Sequence, residues 1–139
     1  MNSIDPSADL SWLLDNFVRE TPGVECAQTM SSDGMHLAAS SAMNEVQCDQ
    51  FAAISSGLVS LGDSARDVFG HAPLIRTIIE TESGWILITR VSNLASLALI
   101  CGPDADLGLI GYELTGLVDK AGAYMSPEQV KAMQKTFAA

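Results

Sequence analysis

The sequence predicts an α/β domain of the α+β kind: one five-stranded antiparallel sheet, a long helix on one face and two helices on the other. Three observations carry this. Residues 44–69 hold one uninterrupted helical pattern between two groups of strands. The runs 74–82, 85–92 and 96–101 are rich in Ile, Thr, Leu and Val, as strands are, and only short turn signals separate them. Asp33-Gly34 sits between two further short runs, where a tight hairpin needs a positive φ.

Taken in order, residues 1–8 read as a flexible lead. From Asp9 the apolar positions Leu10, Leu13, Leu14, Phe17 and Val18 form a helical stripe that Pro22-Gly23 stops. Strands follow at 24–31 and 35–40. On the long helix, Phe51, Ser55, Leu58, Gly62, Ala65 and Phe69 make one stripe, with Ile54, Leu61 and Val68 beside it. Gly70 and Pro73 end the helix. The turns Glu82-Ser83-Gly84 and Asn93-Leu94-Ala95 connect the next three strands. A third helix over 106–124 is striped by Leu107, Ile110, Leu114, Leu117 and Ala121. Ser126-Pro127-Glu128-Gln129 fits a capping box opening a last helix to residue 139. The domain proper is then 9–125, with 126–139 a C-terminal helix. Two hairpin-linked strand groups on one sheet give the order 2-1-5-4-3.

At 139 residues with 47% hydrophobic content the chain can build a core without staples. Its net charge of −10, with scattered Lys and Arg, argues against nucleic acid and against an anionic membrane face. Three cysteines without CxxC spacing read as reduced, buried thiols of a cytoplasmic protein. The N-terminus does not have the layout of a signal peptide, and no run of residues is long and apolar enough to insert in a membrane.

The motifs that suggest chemistry weaken on inspection. Gly57-Leu58-Val59-Ser60-Leu61-Gly62-Asp63-Ser64 has the spacing of a phosphate-binding loop. Asp63 replaces its lysine, and the segment lies inside a helix rather than after a strand. Two small residues that let a helix approach a neighbour explain it better. His36 and His71 have no ligand-spaced partners, so no metal is expected. Asp104 and Asp106 read as helix caps. Gly108, Gly111 and Gly116 read as a close approach to the first helix, with room for a cleft there. No catalytic residue and no cofactor are expected.

What remains is surface. In the order 2-1-5-4-3 the run 74–82 is an edge strand without internal Pro or Lys, a template for pairing with another chain. The long helix, about 39 Å, overhangs a sheet of about 30 Å. Both point to a homodimer. Candidate dimer contacts are Phe51, Leu58, Ile75, Thr77, Ile79 and Thr81. Candidate partner-facing residues are Gln47, Gln50, Arg66, Lys131 and Lys135. The stripe Val130, Met133, Phe137 either docks on the domain or belongs to a detachable arm.

Several segments in this order and spacing carry a family resemblance. They are Leu10-Ser11-Trp12-Leu13-Leu14-Asp15-Asn16-Phe17, Pro22-Gly23-Val24, Ser31-Ser32-Asp33-Gly34, Gln50-Phe51-Ala52-Ala53-Ile54 and Asp104-Ala105-Asp106-Leu107-Gly108. From about Leu10 to Tyr124 the chain resembles the roadblock/dynein light-chain family, in particular its bacterial members associated with small Ras-like GTPases. The resemblance implies a roadblock/profilin-like fold and a dimer joined through its third strands with the long helices side by side. It also implies binding of a small Ras-like GTPase, either stimulating hydrolysis or serving as a non-catalytic scaffold in a signalling or motor complex. The helix 127–139 lies outside the resemblance. For a GTPase regulator, Arg19 ends a helix, while Arg76 and Arg90 are expected on strands. Arg66 is the one arginine placed to reach a partner, and Asp63 and Asp67 beside it mark it as an ion-pair residue.

Overall fold

The computed structural model describes residues 6–138, with side chains through Gln134. The elements are α1 (Pro6–Glu20), β1 (Val24–Ser31), β2 (His36–Ala39), α2 (Glu45–Phe69), β3 (Thr77–Thr81), β4 (Gly84–Ser92), β5 (Ala95–Cys101), α3 (Leu107–Gly122) and α4 (Pro127–Ala138). All strand pairings are antiparallel, and the order is β2-β1-β5-β4-β3, as the sequence predicts.

Helices cover both faces of β5, so its side chains are buried along nearly its whole length rather than on alternate positions. The larger core lies on the α1/α3 side, where Leu10, Leu14, Leu37, Leu87, Leu97, Leu99, Ile110 and Leu114 meet. A smaller cluster of Met30, Ala52, Val59, Ile88 and Ala98 joins α2 to the other face. Registers align Gln28 with Ala98, Ala98 with Ile88, and Ile88 with Thr77, one row crossing four strands beneath α2.

The local signals behave as their chemistry requires. Gly34 takes φ +89° in the β1–β2 turn. Asn44 and Gln47 form a reciprocal capping box at the start of α2, and Gly70 closes that helix in the left-handed region. Asp106 caps α3 by accepting from the Leu109 N–H at 3.1 Å. At α4 the Ser126 N–H donates to Gln129 Oε1 at 2.9 Å, and the Gln129 N–H to Ser126 Oγ at 3.2 Å.

Three expectations need correction. First, α1 begins at Pro6, so residues 6–8 are helical rather than a flexible lead; proline's fixed φ suits a first helical turn. Residues 1–5 of that lead lie outside the described residues. Second, β3 is shorter than 74–82 and starts at Thr77. The Thr89 hydroxyl donates to the Ile75 carbonyl at 2.8 Å, where a ladder bond would otherwise form. Leu74 turns onto α2, so close over Gly62 that a Cβ there would lie 2.8 Å from its Cδ2. Ile75 and Arg76 are therefore loop residues. Third, the glycines of α3 do not admit α1: a Cβ on Gly111 would lie 3.0 Å from Arg76 Nη1, Gly108 meets only its own cap Asp106, and Gly116 meets nothing within 4 Å. Of the two readings open for α4, the structure has the docked one, with Val130 and Met133 buried in the larger core. Side chains beyond Gln134, including Phe137 and Lys135, are outside the described set.

Candidate protein-interaction surface

Two neighbouring surfaces lack a cover among the described residues. The first is the outer edge of β3, which pairs on one side only, with β4. Thr81 pairs with Gly84 across the two-residue loop Glu82-Ser83, so that pair must exchange both ladder bonds. Counting back without a register shift, Thr77 and Ile79 bond inward to β4. Ile78 and Glu80 leave their N–H and C=O groups at the bare edge. Ile78 is 51% exposed.

The start of this strand is also polar and unsatisfied. Among the described residues, Arg76 Nε and Thr77 Oγ1 are buried without a hydrogen-bond partner. An unpaired buried donor costs about 1–3 kcal/mol.

The second surface is the outer face of α2. The helix lays Cys48, Ala52, Ser55 and Val59 on the sheet. Ile54, Leu61 and Val68, spaced by two turns, form an apolar row on the exposed side, and Phe69 is exposed at its end. Beyond Val59 no residue of α2 is buried, so the helix does extend past its support. Asp63 pins this stretch to the sheet: its carboxylate accepts from Arg90 Nη2 at 2.6 Å and Nη1 at 3.3 Å. The hydrogen bond from Arg90 is the main reason the Asp63 carboxyl sits below its ordinary pKa, with the Arg90 and Arg66 charges adding to it.

The candidate residues fall into distinct places. Phe51 and Leu58 are half-buried against the smaller cluster, beside Leu74 and Ile86. Thr77 and Ile79 are half-buried on the α2 side, while Thr81 is exposed and donates from Oγ1 to the Gly84 carbonyl at 3.2 Å. Ile75 is 76% exposed but off the strand. Gln47 uses its side chain in the α2 cap. Gln50 is exposed. Arg66 pairs with Asp63 at 3.4 Å and Asp67 at 3.0 Å, the ion-pair role expected of it. Lys131 is exposed on α4 beside the β1–β2 turn, far along the chain from β3. Among the thiols, burial pushes Cys101 up to about 11 and raises Cys26 and Cys48, so all three stay protonated and inert at neutral pH.

Sequence reasoning missed Ile78, Glu80 and Arg76, although period-two alternation already separates Ile78 and Glu80 from Thr77 and Ile79. It did allow a third surface, a cleft where the α3 glycines face α1, and the structure has one. A cleft of about 370 Å³ lies between α1 and α3, lined by Trp12, Leu13, Phe17, Leu109, Glu113 and Gly116 among others. Trp12 is 67% exposed at its rim, and Tyr112 is exposed nearby on α3.

The five-stranded sheet thus presents a bare strand edge and, on one face, a helix with an exposed apolar row. The chain belongs to the Roadblock/LC7 domain family, whose model matches residues 10–100. It is similar to the Roadblock/LC7 domain from Streptomyces avermitilis, at 28% identity and TM-score 0.77, covering 88% of this chain and 98% of that one. The fold also matches Myxococcus xanthus MglB, at 13% identity and TM-score 0.75, over 83% of this chain and 93% of that one. The gliding protein MglB from Thermus thermophilus matches at 17% identity and TM-score 0.75, over 89% and 93%. Among curated proteins none matches the chain. No described helix is long and apolar enough to cross a membrane.

Proposed function

We propose that the protein is a homodimeric, cytoplasmic regulator or binding partner of a small Ras-like GTPase. The observation that carries the reading is the continuity of two uncovered surfaces, the β3 edge and the Ile54–Leu61–Val68 row, on a Roadblock/LC7 fold. A second copy satisfies both at once: strand pairs with strand, and helix lies beside helix. The GTPase comes from the family resemblance and acts on this dimer. In this reading the protein contributes no catalytic residue of its own, and any stimulation of hydrolysis works by repositioning the GTPase's switch residues.

The test is single-turnover GTP hydrolysis by a Ras-like GTPase from the same cell, with and without saturating protein. Binding with altered turnover supports regulation; no binding refutes the reading. Arg66→Ala should change any stimulation by less than about tenfold, because its guanidinium is held by Asp63 and Asp67. A loss near the 10³ or more expected of an arginine finger would make Arg66 catalytic in trans.

A non-catalytic scaffold is the second reading. The exposed Trp12 and Tyr112 beside the α1/α3 cleft favour it. Aromatics of this kind anchor interfaces, and this face lies across the sheet from α2, free to hold a further protein. Binding that leaves turnover unchanged would select it.

A further inference from the structure

Arg76 is a cation placed without a counter-charge. In a chain of net charge −10, among the described residues it meets no carboxylate. Its Nε is buried and unpartnered. The guanidinium rests against α3 at Gly111, a position where a Cβ would crowd Nη1 to 3.0 Å. It therefore lies on the α1/α3 side of the bare edge. Ile78 pairs with Leu87, whose side chain is in the α1/α3 core, so Ile78 and Glu80 face that same side.

Pairing two β3 edges about a two-fold axis allows few registers, because residues on the same face must oppose one another. Centring on Glu80 sets like charges directly opposite, which is destabilising. Centring on Ile79 sets apolar Ile78 against Glu80 and sends Arg76 to Glu82 in the turn. Centring on Ile78 sets Ile78 on Ile78 and brings Arg76, the loop residue just before the strand, alongside Glu80 of the other copy. On the other face, Thr77 then opposes Ile79.

We infer that Arg76 is positioned to pair with Glu80 of a second copy of this chain, and that this pair, formed twice, fixes the dimer register with Ile78 at its centre. The inference rests on the homodimer reading and adds to it a device for selecting partners. A Roadblock/LC7 edge lacking an acidic residue opposite Arg76 leaves this cation unpaired, so the pair favours self-association over mixed dimers.

Sedimentation equilibrium on the full chain tests it with Arg76→Glu, Glu80→Arg and the double variant. Each single reversal should weaken the dimer by about tenfold or more, two cross-strand pairs changing from attraction to repulsion. The double variant should recover most of that loss. Glu80 is exposed on an edge strand, so Glu80→Arg keeps the fold even if Arg76→Glu disturbs it. Thiol cross-linking reads the register separately: Ile78→Cys should link to its copy, and Ile79→Cys should not. Single reversals without effect, or a double variant no better than either single, would overturn the pair while leaving a dimer that Ile78→Pro still dissociates. A wild-type chain that stays monomeric would instead remove the homodimer itself.

Discussion

Met133→Ala separates a docked C-terminal helix from a detachable arm. Met133 is 1% exposed and Val130 5%, and both sit in the core that includes Leu10, Leu14 and Leu37. Truncating a buried methionine costs about 2–5 kcal/mol, the transfer of its atoms plus the cavity left behind. For a domain of this size each kcal/mol lowers the melting temperature by roughly 3–4 °C. The expected fall is therefore about 6–20 °C in a calorimetric or circular-dichroism melt. Lys131→Ala on the exposed side of the same helix should change stability by no more than about 0.5 kcal/mol. Protein concentration must be held constant, because association shifts melting. A Met133→Ala chain melting within about 2 °C of wild type would refute the docked arrangement, since a freely moving helix has no cavity to leave.

Burial and exposure set two more expected outcomes. His36 is held below its ordinary pKa by burial, with the Asp49 charge acting the other way, and it is bonded to Gln28 Nε2 at 2.9 Å. A depressed histidine means the unfolded chain binds the proton first. Urea-monitored stability should therefore fall as pH drops through about 6.5, and His36→Gln should remove that part of the slope; an unchanged slope would place the titration elsewhere. Trp12→Ala should leave melting nearly unchanged, because the ring is 67% exposed, yet weaken any partner held at the α1/α3 cleft by about tenfold or more, as an interface anchor does; undiminished binding in a pull-down titration would assign that partner to another face.

The strand order was legible because each hairpin carries its own chemistry: Asp33-Gly34 turns with a positive φ, and Glu82-Ser83 leaves two residues between paired strands. The capping box at Ser126 fixed where the last helix starts; the equivalent box of Asn44 and Gln47 at α2 went unread. The beginning of β3 was not legible. Leu74-Ile75-Arg76 runs into the strand residues Thr77-Ile78-Ile79 with no turn signal between them, and the tertiary partners Gly62 and Thr89 hold it out of the ladder. The same limit applied to Gly111: a helical glycine announces a close neighbour but not which one, and the neighbour proved to be a loop guanidinium. On α2 the apolar residues spread over more than one face because the helix packs on the sheet along one line and exposes another. Periodicity alone cannot tell which line is which, so Phe51 and Leu58 were grouped with exposed Phe69.

Asp63 shows how a failed motif can still be informative. In place of a phosphate-binding lysine it puts a carboxylate inside α2, and that carboxylate reaches across to Arg90 on β4. β4 is the strand that pairs with β3, so the bridge ties the outer half of α2 to the hairpin bearing the bare edge. The two uncovered surfaces are then held at one spacing, which any partner covering both requires. A carboxyl held below its ordinary pKa contributes stability above the unfolded-state value and loses it only as pH falls through the lower, folded one. The bridge therefore stays ionised as pH falls through about 6.5, where the His36 contribution to stability begins to decline, so acidification reaches that contribution before it reaches the α2–β4 anchor.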